Sequence, residues 1–263
     1  MNVSAPRFCA FLLSLLCTLV TASSDAAGRV LAIDRYMQSM TESLASAQQA
    51  ALQKIKDRDR RDLAMTYYLR AAPSLERRWS WTDEQIASYE QSPEYAAAID
   101  EIAKISAQFA AENPKYQLHV NTTVRSLETQ LQRWQVVRSI GTAAAELRAS
   151  AISELQNAYS TEPDADSLQR FREFLFTWRA SYPPTLAAPG LSLHGRGGAF
   201  DFQIHDLRGR VIATADSSTS RRIWHEQGWS KKLAHAIATS STRFVGPLTM
   251  PDEPWHYEYR SAN

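Results

Sequence analysis

The alternation of polar and apolar residues is clearest near the end of the chain. Residues 199–204 read AFDFQI, in which small or polar side chains alternate with large apolar ones. This period of two predicts a strand with one polar face and one apolar face. The apolar set comprises Phe200, Phe202 and Ile204. The turn sequence DLRG and the segment RVIATA follow, so we expect a hairpin.

The segments around this hairpin predict the fold class. Residues 224–239 have the pattern of a helix, and residues 243–246 and 256–259 are expected to form two further short strands. Few and short strands among many helical segments indicate an α+β fold. We therefore predict a small antiparallel sheet surrounded by helices.

Upstream, the chain is rich in helix formers. Gly is absent between Val30 and Glu112, where Ala, Gln, Glu, Lys and Arg dominate. Asn113 and Pro114 are expected to end this N-terminal helical region, assigned to 28–112. A second domain is predicted for 113–263, with a helical insertion at about 131–181.

The N-terminus has the pattern of an export signal. Arg7 precedes the apolar run Phe8–Val20, and small residues follow it. This pattern predicts a signal peptide over 1–27, with an uncleaved anchor as the alternative. The run is shorter than the roughly 20 residues of a spanning helix, so no membrane span is expected after cleavage. The protein is therefore expected to be secreted across the inner membrane, to the periplasm or the exterior.

The amino-acid composition limits the kinds of partner that we expect. The two cysteines, Cys9 and Cys17, both lie in the predicted signal peptide, so the mature chain has no thiol for a metal or a disulfide. With 29 basic and 28 acidic residues the formal net charge is +1. We expect no nucleic-acid partner, because no basic run or aromatic ladder is present. The oligomeric state is left open.

Two motifs contain residue types that bind metal ions. The segment Ser192–Asp201 reads SLHGRGGAFD, and Glu253–His256 reads EPWH. Together they supply two imidazoles, a carboxylate ligand and a second carboxylate. A catalytic zinc ion keeps three protein ligands and one open position for water, and an unligated carboxylate can accept a proton from that water. The two motifs therefore predict a hydrolytic zinc site.

The first motif fits the pattern Ser-x-His-x-x-Gly-x-Ala-x-Asp at every fixed position. It resembles the D-alanyl-D-alanine metallopeptidases of bacterial cell walls, the family of the vancomycin-resistance dipeptidases and carboxypeptidases. The resemblance implies that one zinc ion is held by His194, Asp201 and His256. It also implies that Glu253 is the catalytic base.

The stretch Tyr116–Gln130 resembles another part of that family. By this resemblance, Arg125 steadies negative charge that develops on the substrate. The resemblance also implies three substrate-binding residues: Ser192, Gln130 and Trp255. Family members often carry Gly-Tyr before the arginine, where this chain has Thr123 and Val124.

Strand geometry limits how Glu253 and His256 of the second motif can share a site. On a regular strand, Glu253 and His256 point to opposite faces, so they can share a site only if the chain turns between them. Pro254 makes such a turn plausible.

The expected function is hydrolysis of amide bonds in peptidoglycan stem peptides. Both D,D-carboxypeptidase and endopeptidase activity are compatible with the motifs. The alternative is a non-catalytic zinc-bearing module that binds the cell wall or a protein, since the signalling domain of hedgehog proteins has a similar zinc arrangement but acts by binding.

Overall fold

A computed structural model describes residues 32–160, 162–215 and 218–261. The predicted signal peptide at 1–27 lies outside these residues. No described helix is both long enough and apolar enough to cross a bilayer. The architecture is α+β, as predicted, with one small antiparallel sheet and many helices.

The chain divides into two compact units. The first contains the described parts of Met1–Ala72 and Arg133–Leu186, and the second those of Pro73–Gln132 and Ala187–Asn263. The excursion from Arg133 to Leu186 thus belongs to the first unit. In the second unit, Ile102, Ile105 and Phe109 belong to the core of the sheet.

The first unit is helical. Its elements are α1 (described over 32–42), α2 (Ser46–Gln53), α3 (Arg58–Ala71), α8 (Arg138–Ala158) and α9 (Ala165–Thr177). α3 packs against α8 and α9. Leu63, Leu69 and Leu147 are fully or almost fully buried here, so this unit has a core of its own.

The second unit contains the sheet. Its helices are α4 (Leu75–Arg78), α5 (Asp83–Glu90), α6 (Pro93–Glu112), α10 (Ser218–Glu226) and α11 (Trp229–Ser240). Its strands are β1 (Tyr116–Asn121), β2 (Ala199–Asp206), β3 (Val211–Ala213), β4 (Phe244–Val245) and β5 (His256–Tyr259). Short 3-10 helices occupy Ala72–Ser74 and Leu193–Arg196, and α7 (Leu127–Val136) carries the chain into the first unit.

One predicted helix is in fact two. The segment expected to be continuous over 224–239 is divided between α10 and α11, because Gly228 adopts φ 72°. This left-handed conformation ends the regular hydrogen-bonding pattern and suits glycine.

The sheet is antiparallel throughout. Its strand order is β1-β2-β5-β4, and β3 also pairs with β2. Along β2 the apolar residues predicted to face the core are buried, whereas Asp201, Gln203 and His205 are only partly buried. The apolar face packs into a core with α6 and α11. The opposite, polar face carries the candidate site.

We expect Phe202→Ala to lower the free energy of unfolding by about 3–5 kcal/mol, because Phe202 is fully buried at the centre of this core and its removal leaves a cavity. Chemical denaturation measures this change. Leu207→Ala is the control, since Leu207 is 67% exposed in the hairpin turn and should change stability by less than about 0.5 kcal/mol. Equal effects of the two substitutions would contradict the assignment of this core.

Candidate metal centre

Strand pairing brings the first two predicted ligands together. Asp201 on β2 lies directly opposite His256 on β5. Side chains at directly opposed positions project from the same face of a sheet. His256 Nδ1 is accordingly 3.1 Å from Asp201 Oδ1.

The third predicted ligand comes from the segment before β2. His194 lies in the 3-10 helix Leu193–Arg196, which ends at Gly197 with φ 61°. This turn returns the chain towards β2. His194 Nε2 is then 3.2 Å from His256 Nδ1 and 3.4 Å from Asp201 Oδ2.

These three residues form a group that can hold a metal ion. One ligand atom from each of His194, Asp201 and His256 lies within 4.8 Å of the other two. Two imidazole nitrogens and one carboxylate oxygen are a donor set that first-row transition metals and zinc accept. The side chains are 12%, 22% and 10% exposed, so the ligand atoms are largely shielded from solvent.

The electrostatics favour the ligand forms of these side chains. Burial lowers the pKa of His194 to about 3, so its imidazole is neutral near pH 7. Burial would raise the pKa of Asp201, but the hydrogen bond with His256 and the neighbouring cationic groups, Arg125 among them, outweigh it and lower that pKa. The site thus presents a neutral imidazole and an ionised carboxylate, the forms that bind metal.

Arg125 lies at the edge of this group. Its Nη2 is 3.3 Å from Asp201 Oδ2. Its backbone N–H donates to the carbonyl of His194 at 3.0 Å. The segment before α7 is therefore joined to the metal-ligand segment at both backbone and side chain.

Glu253 reaches the site through a turn. The N–H of His256 donates to the carbonyl of Glu253 at 3.0 Å, and β5 begins only at His256. Glu253 Oε2 consequently lies 3.8 Å from His256 Nδ1. Glu253 and His256 can therefore lie at the same site, because the chain turns between them and does not continue as a regular strand.

The environment makes Glu253 a better proton acceptor. Burial raises its pKa, as does the charge of Asp201, against the opposing charges of His256, Arg221 and Arg125. A carboxylate with a raised pKa is the more effective general base near neutral pH.

Gln130 is hydrogen-bonded to three other segments of the protein. Its amide nitrogen donates to Ser80 Oγ at 2.9 Å and to the carbonyl of Arg125 at 2.7 Å. Its amide oxygen accepts from the N–H of Gly190 at 3.0 Å. Both donors are used within the protein, and this arrangement favours support of Arg125 over contact with a substrate.

Trp255 also lies in the interior. The indole is 4% exposed, belongs to the core of the sheet and contacts the Trp224 ring at 6.3 Å between ring centroids. Its carbonyl accepts from the N–H of Phe202 at 3.0 Å. Trp255 therefore anchors the segment before His256, because a large apolar ring is more stable in the core than in an open cleft.

Ser192, by contrast, is half-buried two residues before His194, and its placement is compatible with the predicted substrate contact.

Close backbone approach explains one glycine of the first motif. A Cβ at Gly195 would clash with the side chains of Ser80 and Gln130. The N–H of Trp81 also donates to the carbonyl of Gly195 at 2.9 Å. The metal-ligand segment thus packs directly on the residues that position Arg125.

Comparison of the chain with protein-family models, with curated proteins and with solved structures found no match.

The sequence patterns missed two side chains near this site. Ser80 is buried and hydrogen-bonded to Gln130, which lies fifty residues further along the chain. The charge of Arg221 lowers the pKa of Glu253. Neither residue lies in a motif. Ser80 lies in the segment between α4 and α5 and Arg221 lies on α10, and hydrophobic periodicity could not have placed either of them near the ligand group.

We expect the protein to bind one metal ion per chain, and His194→Ala, Asp201→Ala or His256→Ala to weaken binding by about 100-fold or more. Changes to groups that merely orient metal ligands already cost about 10- to 100-fold. Equilibrium dialysis against Zn²⁺ followed by elemental analysis measures this. His205→Ala is the control, since His205 lies on the same strand but outside the ligand group. Unchanged binding in all three ligand variants would refute the site.

We expect Gly195→Ala to lower the free energy of unfolding by about 1–3 kcal/mol and to weaken metal binding, because the added methyl group forces Ser80 and Gln130 away from the ligand segment. Gly198→Ala is the matched control in the same segment. A Cβ at Gly198 meets its nearest atoms at 3.6 and 3.9 Å, which is ordinary contact. Thermal unfolding with and without metal measures both variants, and similar behaviour of the two would contradict this packing.

Proposed function

We propose that this protein is a zinc-dependent peptidase that hydrolyses amide bonds of peptidoglycan stem peptides. The observation that carries the proposal is the convergence of two motifs far apart in the chain. The metal ligands of SLHGRGGAFD and EPWH meet in one group, and Glu253 lies beside it. A chance match of either motif would not require the two to meet.

Zinc is the metal that we propose for His194, Asp201 and His256. Two histidines with one carboxylate are a ligand set of catalytic zinc, and the chain outside its first 27 residues has no cysteine to complete a structural site. When bound, zinc supplies a Lewis acid that polarises a carbonyl group and makes water more acidic.

Glu253 is proposed as the general base and then the general acid. Its carboxylate accepts the proton of the attacking water and passes that proton to the leaving amine. The raised pKa supports both steps, because the group must hold the proton between them. Its position next to His256, without a place among the three ligands, leaves it available for this role.

Arg125 is proposed to stabilise the negative charge that develops on the carbonyl oxygen during attack. A guanidinium remains charged at any working pH, and its hydrogen-bond donors are fixed in a plane. Its contact with Asp201 and its backbone bond to His194 hold it at the edge of the ligand group. Gln130 supports that position from the protein side.

The choice of substrate and compartment rests on the sequence. The resemblance of the motifs to the D-alanyl-D-alanine metallopeptidases supports peptidoglycan stem peptides, and the signal-peptide pattern at 1–27 supports action in the periplasm or outside the cell. The test is incubation of the mature protein with defined muropeptides, with and without a chelator, followed by mass analysis of the products. Loss of one alanine identifies a carboxypeptidase, and separated stems identify an endopeptidase.

We expect Glu253→Gln to lower kcat for stem-peptide hydrolysis by about 100-fold or more while metal binding is retained, because the amide cannot accept the proton but keeps the shape of the side chain. Steady-state kinetics and metal content measure the two effects. Glu226→Gln is the control, since Glu226 is an exposed residue of α10 that pairs with Arg222. A wild-type protein that binds zinc but yields no zinc-dependent product would favour the binding-module alternative instead.

A further inference from the structure

One face of α10 contacts the segment that carries Glu253. Trp224 packs on Trp255, while His225 and Arg221 both approach Asp252. These α10 residues are spaced i, i+3 and i+4, which places them on one side of the helix. The side chain of Arg221 is therefore directed towards the segment next to Glu253.

His225 is the hydrogen-bond partner of the Asp252 carboxylate. Its Nε2 lies 3.1 and 3.3 Å from the two carboxylate oxygens. Arg221 Nε lies 3.8 Å from the nearer oxygen, beyond hydrogen-bond distance. Asp252 is thus an ionic neighbour of Arg221 and not its hydrogen-bond acceptor.

Arg221 has unused hydrogen-bonding capacity. Within the residues that the structure describes, its Nε is buried and has no acceptor. Its side chain as a whole is 40% exposed, so the rest of the guanidinium can be reached from solvent. Buried donors without an acceptor are uncommon in folded proteins, and a guanidinium presents its donors in a geometry that matches a carboxylate.

The charge of Arg221 acts at the general base. It lowers the pKa of Glu253 against the effect of burial, as the charge of Arg125 also does. Arg125, however, is in contact with Asp201 on the metal-ligand side. The two arginines therefore have different neighbours: Arg125 the ligand Asp201, and Arg221 the segment of the general base.

The chemistry of the proposed reaction specifies what lies beside Glu253. The general acid must reach the nitrogen of the leaving amine. If the leaving group is the last residue of a peptide, its carboxylate carbon is only two bonds of about 1.5 Å each from that nitrogen. A cation next to the general acid then lies close to the terminal carboxylate.

We propose that Arg221 binds the terminal carboxylate of the substrate, so that the enzyme removes single C-terminal residues and is a D,D-carboxypeptidase. This inference rests on the proposed function. An endopeptidase that cuts inside a linear stem peptide has an amide in place of this carboxylate at the leaving residue, and a neutral amide gains much less from a guanidinium.

The test compares two stem peptides that end in D-alanyl-D-alanine, one with a free carboxylate and one with a C-terminal amide. We expect the wild-type zinc enzyme to cleave the acid with a kcat/KM about 10- to 100-fold above that of the amide, the range for a charge-assisted hydrogen-bonded pair. Arg221→Gln should remove this preference, chiefly by raising KM for the acid. Any effect of the lost charge on the pKa of Glu253 acts on both peptides and cancels in the ratio of their kcat/KM values. Arg221→Lys should retain part of the preference, because it keeps the charge but not the planar donors.

Arg222→Gln is the matched control on the next residue of α10, where the side chain is 69% exposed and pairs with Glu226. It should behave as wild type. Equal cleavage of acid and amide by the wild type, or an equal loss on both peptides in Arg221→Gln, would overturn the inference and leave the proposed function standing. Cleavage of neither peptide while the defined muropeptides are still cut would also overturn the inference alone. Only the absence of any zinc-dependent product, from these peptides and from the muropeptides, would overturn the proposed function itself.

Discussion

The pairing of Asp201 with His256 across β2 and β5 is the interaction on which the candidate site depends. Antiparallel register places the two side chains opposite each other on the polar face. The reverse face holds that register, because Phe200, Phe202 and Tyr257 are buried in the core. A slip of one residue would expose these rings and bury Asp201 and His256, so the core that stabilises the sheet also sets the geometry of the candidate metal site.

The remaining parts of the site are attached to this pair by backbone hydrogen bonds. Arg125 donates to the carbonyl of His194, and the segment around Gly195 packs on Ser80 and Gln130. Because these bonds run between chain segments 50 or more residues apart, the site forms only when the whole second unit folds. A preorganised arrangement of this kind is what electrostatic catalysis requires, since the charges need not move when the reaction occurs.

The two arginines near the site have different neighbours. Arg125 contacts Asp201 among the metal ligands, and Arg221 adjoins the segment of Glu253. If the proposed function is correct, these two cations serve different oxygens of one substrate: the carbonyl under attack and the carboxylate of the leaving residue. The difference between a carboxypeptidase and an endopeptidase would then depend on a side chain of α10 that lies outside both motifs.

The sequence by itself determined the α+β class, a strand over 199–204 and the two motifs, and Pro254 indicated the turn between Glu253 and His256, because each is expressed in alternation or spacing between neighbouring residues. Only the tertiary structure decided that Trp255 lies in the core, that Gln130 braces Arg125, that residues 73–112 fold with the sheet, and that Arg221 lies beside the segment of Glu253. The physical reason is distance along the chain. Burial and hydrogen-bond partners depend on contacts between segments that are remote in sequence, and local patterns do not encode which segments meet.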